Sequence, residues 1–283
     1  MHPLTALLLG IVEGLTEYLP VSSTGHLIVF SQLLHERSAS FDIVIQAGAV
    51  LAVVVHYRAL LASRVLGIFR RDAASLRLLF ALGAAFVPTA VAGLLFRKII
   101  RDYLFGAGTV AWALMIGGVL MIGLDLAKLG KTGAQGLEQV TVKRGFLIGL
   151  GQCVSLCPGA SRSMCTIVAG QLTGLSTSTA AEFSFLLALP TLLAATAYEG
   201  YKGRQELTTL GGSNVAIGVV VSFLVAWGVI ATFVHYLQRR GLAPFGYYRI
   251  AAGVALLALW LGGSLTPKLE AGAASAVATA TLK

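Results

Sequence analysis

The sequence is short of charge. Only 12% of its 283 residues are Asp, Glu, Lys or Arg, about half the share of a soluble domain and too few to cover a water-facing surface. Acidic residues are the scarcer kind, 12 against 21 basic ones. In a soluble protein that excess of base would point to nucleic acid. Here most basic residues fall in short gaps between apolar runs, as in loops that flank a membrane, so no nucleic-acid partner is expected. Cysteine is limited to Cys153, Cys157 and Cys165. Their C-x3-C-x7-C spacing has no paired histidine and is not a zinc pattern, which leaves them as small apolar fillers. The amino terminus lacks the basic segment and small-residue cleavage site of a signal peptide, and Glu13, Glu17 and Pro20 interrupt its first apolar stretch, so it reads as mature protein.

What the sequence has is apolar length. Six stretches, about 41–57, 78–96, 108–127, 181–198, 215–237 and 247–265, approach the roughly 20 residues that cross a bilayer as a helix. Two further segments, 4–34 and 145–175, are broken near their middles by Leu19-Pro20-Val21-Ser22-Ser23 and Cys157-Pro158-Gly159-Ala160-Ser161. Each half is about 12–14 residues, too short to span. Each segment therefore reads as a re-entrant helical hairpin, whose tip must be buried against protein or a wet cavity.

The broken segments resemble each other. At an offset of 139, Gly10 falls on Gly149, Glu13 on Gln152, Ser22 on Ser161, and Ile28-Val29 on Ile167-Val168, while Pro20 meets Pro158 after a one-residue insertion. Three spanning stretches follow each hairpin, the first opened by Asp42 in one half and Glu182 in the other. Three is odd, so the second copy enters the membrane from the opposite side. The expected fold is an all-α integral membrane protein with six transmembrane helices, two re-entrant hairpins and an inverted-topology repeat: 1–129, then 143–266, with a tail 267–283. Broken helices at matching positions place a site near the midplane.

Loop charge gives the orientation. Eleven basic residues (Arg58, Arg64, Arg70, Arg71, Arg77, Lys128, Lys131, Lys143, Arg144, Arg239 and Arg240) lie on one side, against eight on the other (Arg37, Arg97, Lys98, Arg101, Lys202, Arg204, Lys268 and Lys283). The positive-inside rule makes the first side cytoplasmic, and both termini then face outward.

Glu13 and Glu17 stand four apart on one helical face, in the last turns before Pro20. Two carboxylates at the negative end of a helix dipole, at membrane depth, need a divalent metal, a proton or an arginine beside them. After the break Ser22, Ser23 and Thr24 offer hydroxyls that can cap a new helix. His26 sits one turn beyond Ser23, where its imidazole can take a hydroxyl proton or attack directly. In the second hairpin Ser161 can cap a helix whose free amides point at the break. Arg162 in that first turn opposes the dipole unless an anion sits there, and its planar fork suits phosphate oxygens. Ser163 precedes Thr166 by one turn, so both would face the same cavity. Pooled at one place, these groups suit phosphoryl transfer on an amphiphile with a phosphate head.

The stretches Glu13-Gly-Leu-Thr-Glu17-Tyr-Leu-Pro-Val-Ser-Ser-Thr-Gly-His26 and Pro158-Gly-Ala-Ser-Arg-Ser163-x-x-Thr166 resemble the two signature motifs of the undecaprenyl pyrophosphate phosphatase, or bacitracin-resistance, family. The likeness extends to Phe41-Asp-Ile-Val-Ile-Gln-Ala-Gly-Ala49 and Ala181-Glu-Phe-Ser-Phe-Leu-Leu-Ala-Leu-Pro190 and covers nearly the whole chain. It implies an inner-membrane hydrolase that converts undecaprenyl pyrophosphate to undecaprenyl phosphate and inorganic phosphate, recycling the lipid carrier of cell-wall precursors. It also implies a divalent cation, Mg2+ or Ca2+, at Glu13 and Glu17, and a site opening to the periplasm. By matching position, Glu17, Ser23, His26 and Arg162 would be catalytic, with either Ser23 or His26 as nucleophile. Ser22, Thr24, Ser161, Arg162, Ser163 and Thr166 would bind the substrate. Membrane lipid is the expected surrounding partner, and a homodimer is an open option. Met164-Cys165 departs from the family's usual small residues, and Met164 could narrow the cavity. The rival reading is a secondary transporter or flippase of an anionic prenyl lipid, which shares the repeat architecture but has no use for a serine–histidine pair.

Overall fold

The computed structural model describes residues 1–36, 38–104 and 106–263. Arg37, the last residues of the stretch expected at 247–265 and the tail 267–283, with Lys268 and Lys283, lie outside the described residues.

The first hairpin consists of α1 (Pro3–Thr16) and α2 (Ser23–Leu33). Helices α3 (Ala39–Val44) and α4 (Gln46–His56) join at Ile45 into one span. They are followed by α5 (Arg58–Phe69), α6 (Ala73–Leu95), the single turn α7 (Arg97–Ile99), which a π-helical turn over Ile100–Leu104 continues, and α8 (Ala107–Leu126). The second hairpin pairs α9 (Val142–Gln152) with α10 (Arg162–Leu172), and α11 (Thr177–Lys202), α12 (Arg204–Leu210), α13 (Gly212–Arg239) and α14 (Ala243–Leu261) complete the described chain.

Among the described residues six helices are long and apolar enough to cross a membrane: Ala39–His56, Ala73–Leu95, Ala107–Leu126, Thr177–Lys202, Gly212–Arg239 and Ala243–Leu261. They are the six expected spans. Each begins before its apolar run, and at three of them a polar residue caps the start. Ser38 Oγ accepts from the Phe41 amide at 3.1 Å, the Asp72 carboxylate accepts from the Ser75 amide at 2.9 Å, and Ser176 Oγ accepts from the Thr179 amide at 3.2 Å. Apolar periodicity does not see such caps. Two gaps that read as loops also carry helix, α5 and α12. Helix α5 buries none of its residues and exposes Val65, Leu66 and Phe69 close to Arg64, the pattern of a helix lying at a membrane surface.

The four hairpin arms are 14, 11, 11 and 11 residues long, hence about 16–21 Å, roughly half to two-thirds of a hydrocarbon core. Each hairpin docks onto the other half of the chain. Arm α1 lies on α13, where a Cβ at Gly10 or Gly14 would come within 2.7 Å of the Gly218 or Ser222 carbonyl. Arm α9 lies on α6, where a Cβ at Gly145 or Gly149 would collide with the Ala81 or Ala85 carbonyl. Small residues four apart let the backbones touch, which is how helices associate where no water drives them together. An odd number of spans separates the hairpins, so their mouths lie at opposite ends of the bundle. Asn214 Nδ2, at the start of α13, donates to the Met1 carbonyl at 2.7 Å beside the first mouth. Arg77 Nη1, at the start of α6, donates to the Glu138 carbonyl at 3.3 Å beside the second. The lateral faces carry exposed Phe80, Leu94, Trp112, Ile116, Leu224 and Trp227, a surface suited to lipid rather than water.

Candidate active site

The two breaks reach the same place by the same backbone device. Ser22 and Ser161 hold φ of +74° and +71°, a region L-residues seldom occupy. Each ends the break and caps the arm that follows: Ser22 Oγ accepts from the Gly25 amide and Ser161 Oγ from the Met164 amide, both at 3.3 Å. Helix geometry then leaves the amides of Ser23, Thr24, Arg162 and Ser163 without intrahelical acceptors. Strained, non-glycine backbone of this kind costs about 1–3 kcal/mol and persists here at both tips.

Across the gap the side chains join. Arg162 Nη2 donates to Glu17 Oε1 at 2.7 Å, and Ser23 Oγ donates to Glu17 Oε2 at 2.5 Å. One carboxylate thus holds the arginine of the second hairpin and the serine of the first. The guanidinium is aimed from behind: Arg162 Nη1 donates to the Ser184 carbonyl at 3.1 Å, and its Cζ lies 5.7 Å from the centre of the Tyr18 ring. Arg162 Nε is buried with no acceptor. Tyr18 is itself fixed by donating to the Ala49 carbonyl at 2.8 Å. A third tie runs from Ser163 Oγ to the Leu19 carbonyl at 2.8 Å.

These groups border a polar cavity of about 100 Å³ walled by Glu17, Ser22, Ser23, Thr24, Ser161 and Arg162, with Gln46 and Leu192 closing its side. Six of the ten expected site residues therefore line this one cavity, and four do not. Ser163 and Thr166 are buried among protein. Thr166 Oγ1 lies 2.6 Å from Ser184 Oγ and donates to the Arg162 carbonyl at 2.8 Å, so it braces the helix instead of facing the cavity. His26 turns away. Its Nδ1 lies 2.7 Å from the Ser22 carbonyl and its Nε2 lies 2.6 Å from the Tyr248 hydroxyl, beside a separate apolar cavity of about 190 Å³ that Val29, Phe30, Leu114 and Leu256 help line. A carbonyl only accepts, so Nδ1 carries the proton and Tyr248 donates to Nε2. Glu13 is fully buried, and neither carboxylate oxygen meets a donor. Met164 packs beside Gly117, so its bulk leaves the cavity open.

Oxygen donors alone suit a hard divalent cation, and an orphaned buried carboxylate next to Glu17 fits one. Among the described residues no three His, Cys, Asp or Glu side chains converge. Phosphate oxygens of a ligand would have to complete the coordination.

Two participants escaped the sequence reading. Ser184 lies in a stretch quoted for family resemblance but carries no motif of its own. Arg249 lies in the last span, fully buried. A charge inside an apolar stretch is itself the signal that marks it.

The sequence pattern described as bacitracin resistance protein BacA matches residues 6–255. An undecaprenyl-diphosphatase of Sorangium cellulosum is 57% identical over 263 residues, covering 90% of this chain and 85% of that protein. Proteins with the same description from Novosphingobium aromaticivorans and Thermoanaerobacter pseudethanolicus are 45% and 44% identical. They cover 91% and 90% of this chain, and 97% and 95% of their own lengths.

Proposed function

The chain belongs to the bacitracin resistance protein BacA family, and we propose that it hydrolyses undecaprenyl pyrophosphate to undecaprenyl phosphate and inorganic phosphate in the cavity between the hairpin tips. The observation that carries the assignment of roles is the shared carboxylate: Ser23 Oγ and Arg162 Nη2 meet the two oxygens of Glu17 at 2.5 and 2.7 Å. A nucleophile bonded to a base, and a base oriented by a third group, is the arrangement of covalent catalysis.

The diphosphate binds between the amides that open α2 and α10, beside the fixed positive charge of the Arg162 guanidinium. Glu17 takes the Ser23 proton as Oγ bonds to the terminal phosphorus. The bond to the bridging oxygen breaks, and undecaprenyl phosphate departs with the electron pair. Glu17 passes its proton to bulk water and takes another from the water that attacks the phosphoserine. Inorganic phosphate leaves as Ser23 Oγ regains a proton from Glu17. His26 holds the first turn of α2 through the Ser22 carbonyl and takes no proton from Ser23. Glu13 and Glu17 would hold Mg2+ or Ca2+, whose charge would offset that of the diphosphate.

The protein is a multi-pass membrane protein, and we place it in the inner membrane with the tips at membrane depth and the cavity open to the periplasm. Gln46 and Leu192, which wall the cavity, lie in the halves of their spans nearer Ala39 and Lys202. Those halves are the ones remote from the basic gaps 58–77 and 128–144.

The test is to trap the phospho-enzyme from substrate labelled at the terminal phosphorus. Acid-stable phosphoserine at Ser23 is expected, and Ser23→Ala should lose the label and on the order of 10⁴-fold in turnover. His26→Ala should keep the label. Acid-labile label at His26, or full turnover in Ser23→Ala, would overturn the assignment.

A further inference from the structure

We infer that Arg249 is a positioning residue, holding the two hairpin tips in register behind the diphosphate cavity. This rests on the reading that both tips bind the diphosphate together.

Its side chain is fully buried and spends its donors on backbone carbonyls alone. Nη1 donates to Pro20 at 3.1 Å, at the break of the first hairpin. Nη2 donates to Gly159 at 3.0 Å and Ala160 at 3.2 Å, at the break of the second, and to Ala113 at 3.0 Å. Nε donates to Leu114 at 3.2 Å. One planar group thereby fastens both breaks to each other and to α8. Among the described residues no carboxylate pairs with it, and a buried charge without a counter-charge is costly to keep for stability alone.

Peptide planarity gives the consequence. A carbonyl turned toward Arg249 turns the N–H of the same trans peptide away from it, so the Ala160–Ser161 unit aims the Ser161 amide away from Arg249. Gly159, Ser161 and Arg162 wall the polar cavity while Arg249 does not. It therefore acts through the tips, setting Ser161 and Arg162 against Ser22 and Ser23. Lysine has three donors from one point and cannot span carbonyls on three elements. The site is also crowded: a Cβ added at Gly117 would collide with Arg249 Nη2, which offers a way to displace the guanidinium without removing it.

The experiment compares Arg249→Met, Arg249→Lys and Gly117→Ala with wild type in detergent. Steady-state kcat and KM for undecaprenyl pyrophosphate are scaled to the folded fraction from melting curves, with Arg162→Ala run alongside. Misplacing reacting groups by about an ångström costs on the order of 100-fold. That loss is expected in kcat for Arg249→Met, with KM little changed, and about ten-fold for Gly117→Ala. Arg249→Lys should recover part of the loss. If kcat per folded molecule in Arg249→Met and Gly117→Ala equals that of wild type, Arg249 is structural and the inference fails. If instead Arg162→Ala turns over normally, the shared premise of a two-tip diphosphate site has failed.

Discussion

At the break of the first hairpin Ser22 turns the chain at φ +74° and caps α2, and at the break of the second Ser161 turns it at +71° and caps α10. The charges around these matching turns are opposite. The first hairpin places Glu13 and Glu17 at the carboxyl end of α1, and the second places Arg162 at the amino end of α10. Each choice opposes its own helix dipole, by about 0.3–1 kcal/mol per charge at exposed sites. The two are reconciled by each other, in a bond of 2.7 Å. Position 13 and its counterpart 152 are both fully buried, and the side-chain oxygens of both find no donor, but only Gln152 is an uncharged amide with an Nε2 that donates, to Thr89 Oγ1 at 2.9 Å. Two tips of matching backbone therefore differ in their side chains, with carboxylates and Ser23 on one and Arg162 on the other.

The comparison can be broken most severely at Arg162. Arg162→Lys keeps the charge but loses the fork, and kcat/KM is expected to fall on the order of 10²–10³-fold in a phosphate-release assay. Arg162→Ala should fall further, and should also lower the melting temperature, because Glu17 is left buried and unpaired at a cost of about 3–5 kcal/mol. Near-normal turnover in either variant would leave the second tip without a role.

The two carboxylates of the first tip can be separated next. Glu17→Gln removes the base and should cost roughly 10²–10⁴-fold in kcat. Glu13→Gln should retain most of kcat and shift the divalent-cation concentration needed for half-maximal rate. Equal losses in the two variants would mean that they act as one unit.

The smallest effects concern the shared turn. At Ser22 and Ser161, Ser→Gly relieves the positive-φ strain and loses a cap, so thermal unfolding should change by no more than about 1 kcal/mol. Ser→Ala keeps the strain and loses the cap, and should cost about 1–2 kcal/mol. Both tips should respond alike; a response confined to one would break their equivalence.

Much of this was written in the chain's periodicity. Six apolar runs gave six spans, and a proline inside each of two shorter runs marked the hairpins. Glu17, Ser23 and Arg162 were identifiable because charge and hydroxyl beside a break inside an apolar run need partners. Helices α5 and α12 were hidden because their polar faces resemble loop composition. The turning of His26 toward Tyr248 and of Thr166 toward Ser184 depends on neighbours remote in sequence, which spacing along one helix cannot supply. Arg249 binds carbonyls of Pro20, Ala113, Leu114, Gly159 and Ala160, and no side-chain pattern encodes a carbonyl's direction. It was nevertheless detectable by subtraction. Of the 21 basic residues, all but Arg162 and Arg249 fall in the gaps between the apolar stretches or in the tail after the last one.

The union of the two tips on one substrate is tested most directly by an experimental structure with a prenyl methylenediphosphonate, which binds but cannot be cleaved. Its terminal phosphorus group is expected within hydrogen-bond reach, about 3 Å, of both Ser23 Oγ and the Arg162 guanidinium. A head group held by one hairpin alone, or bound at the bundle's ends, would contradict it.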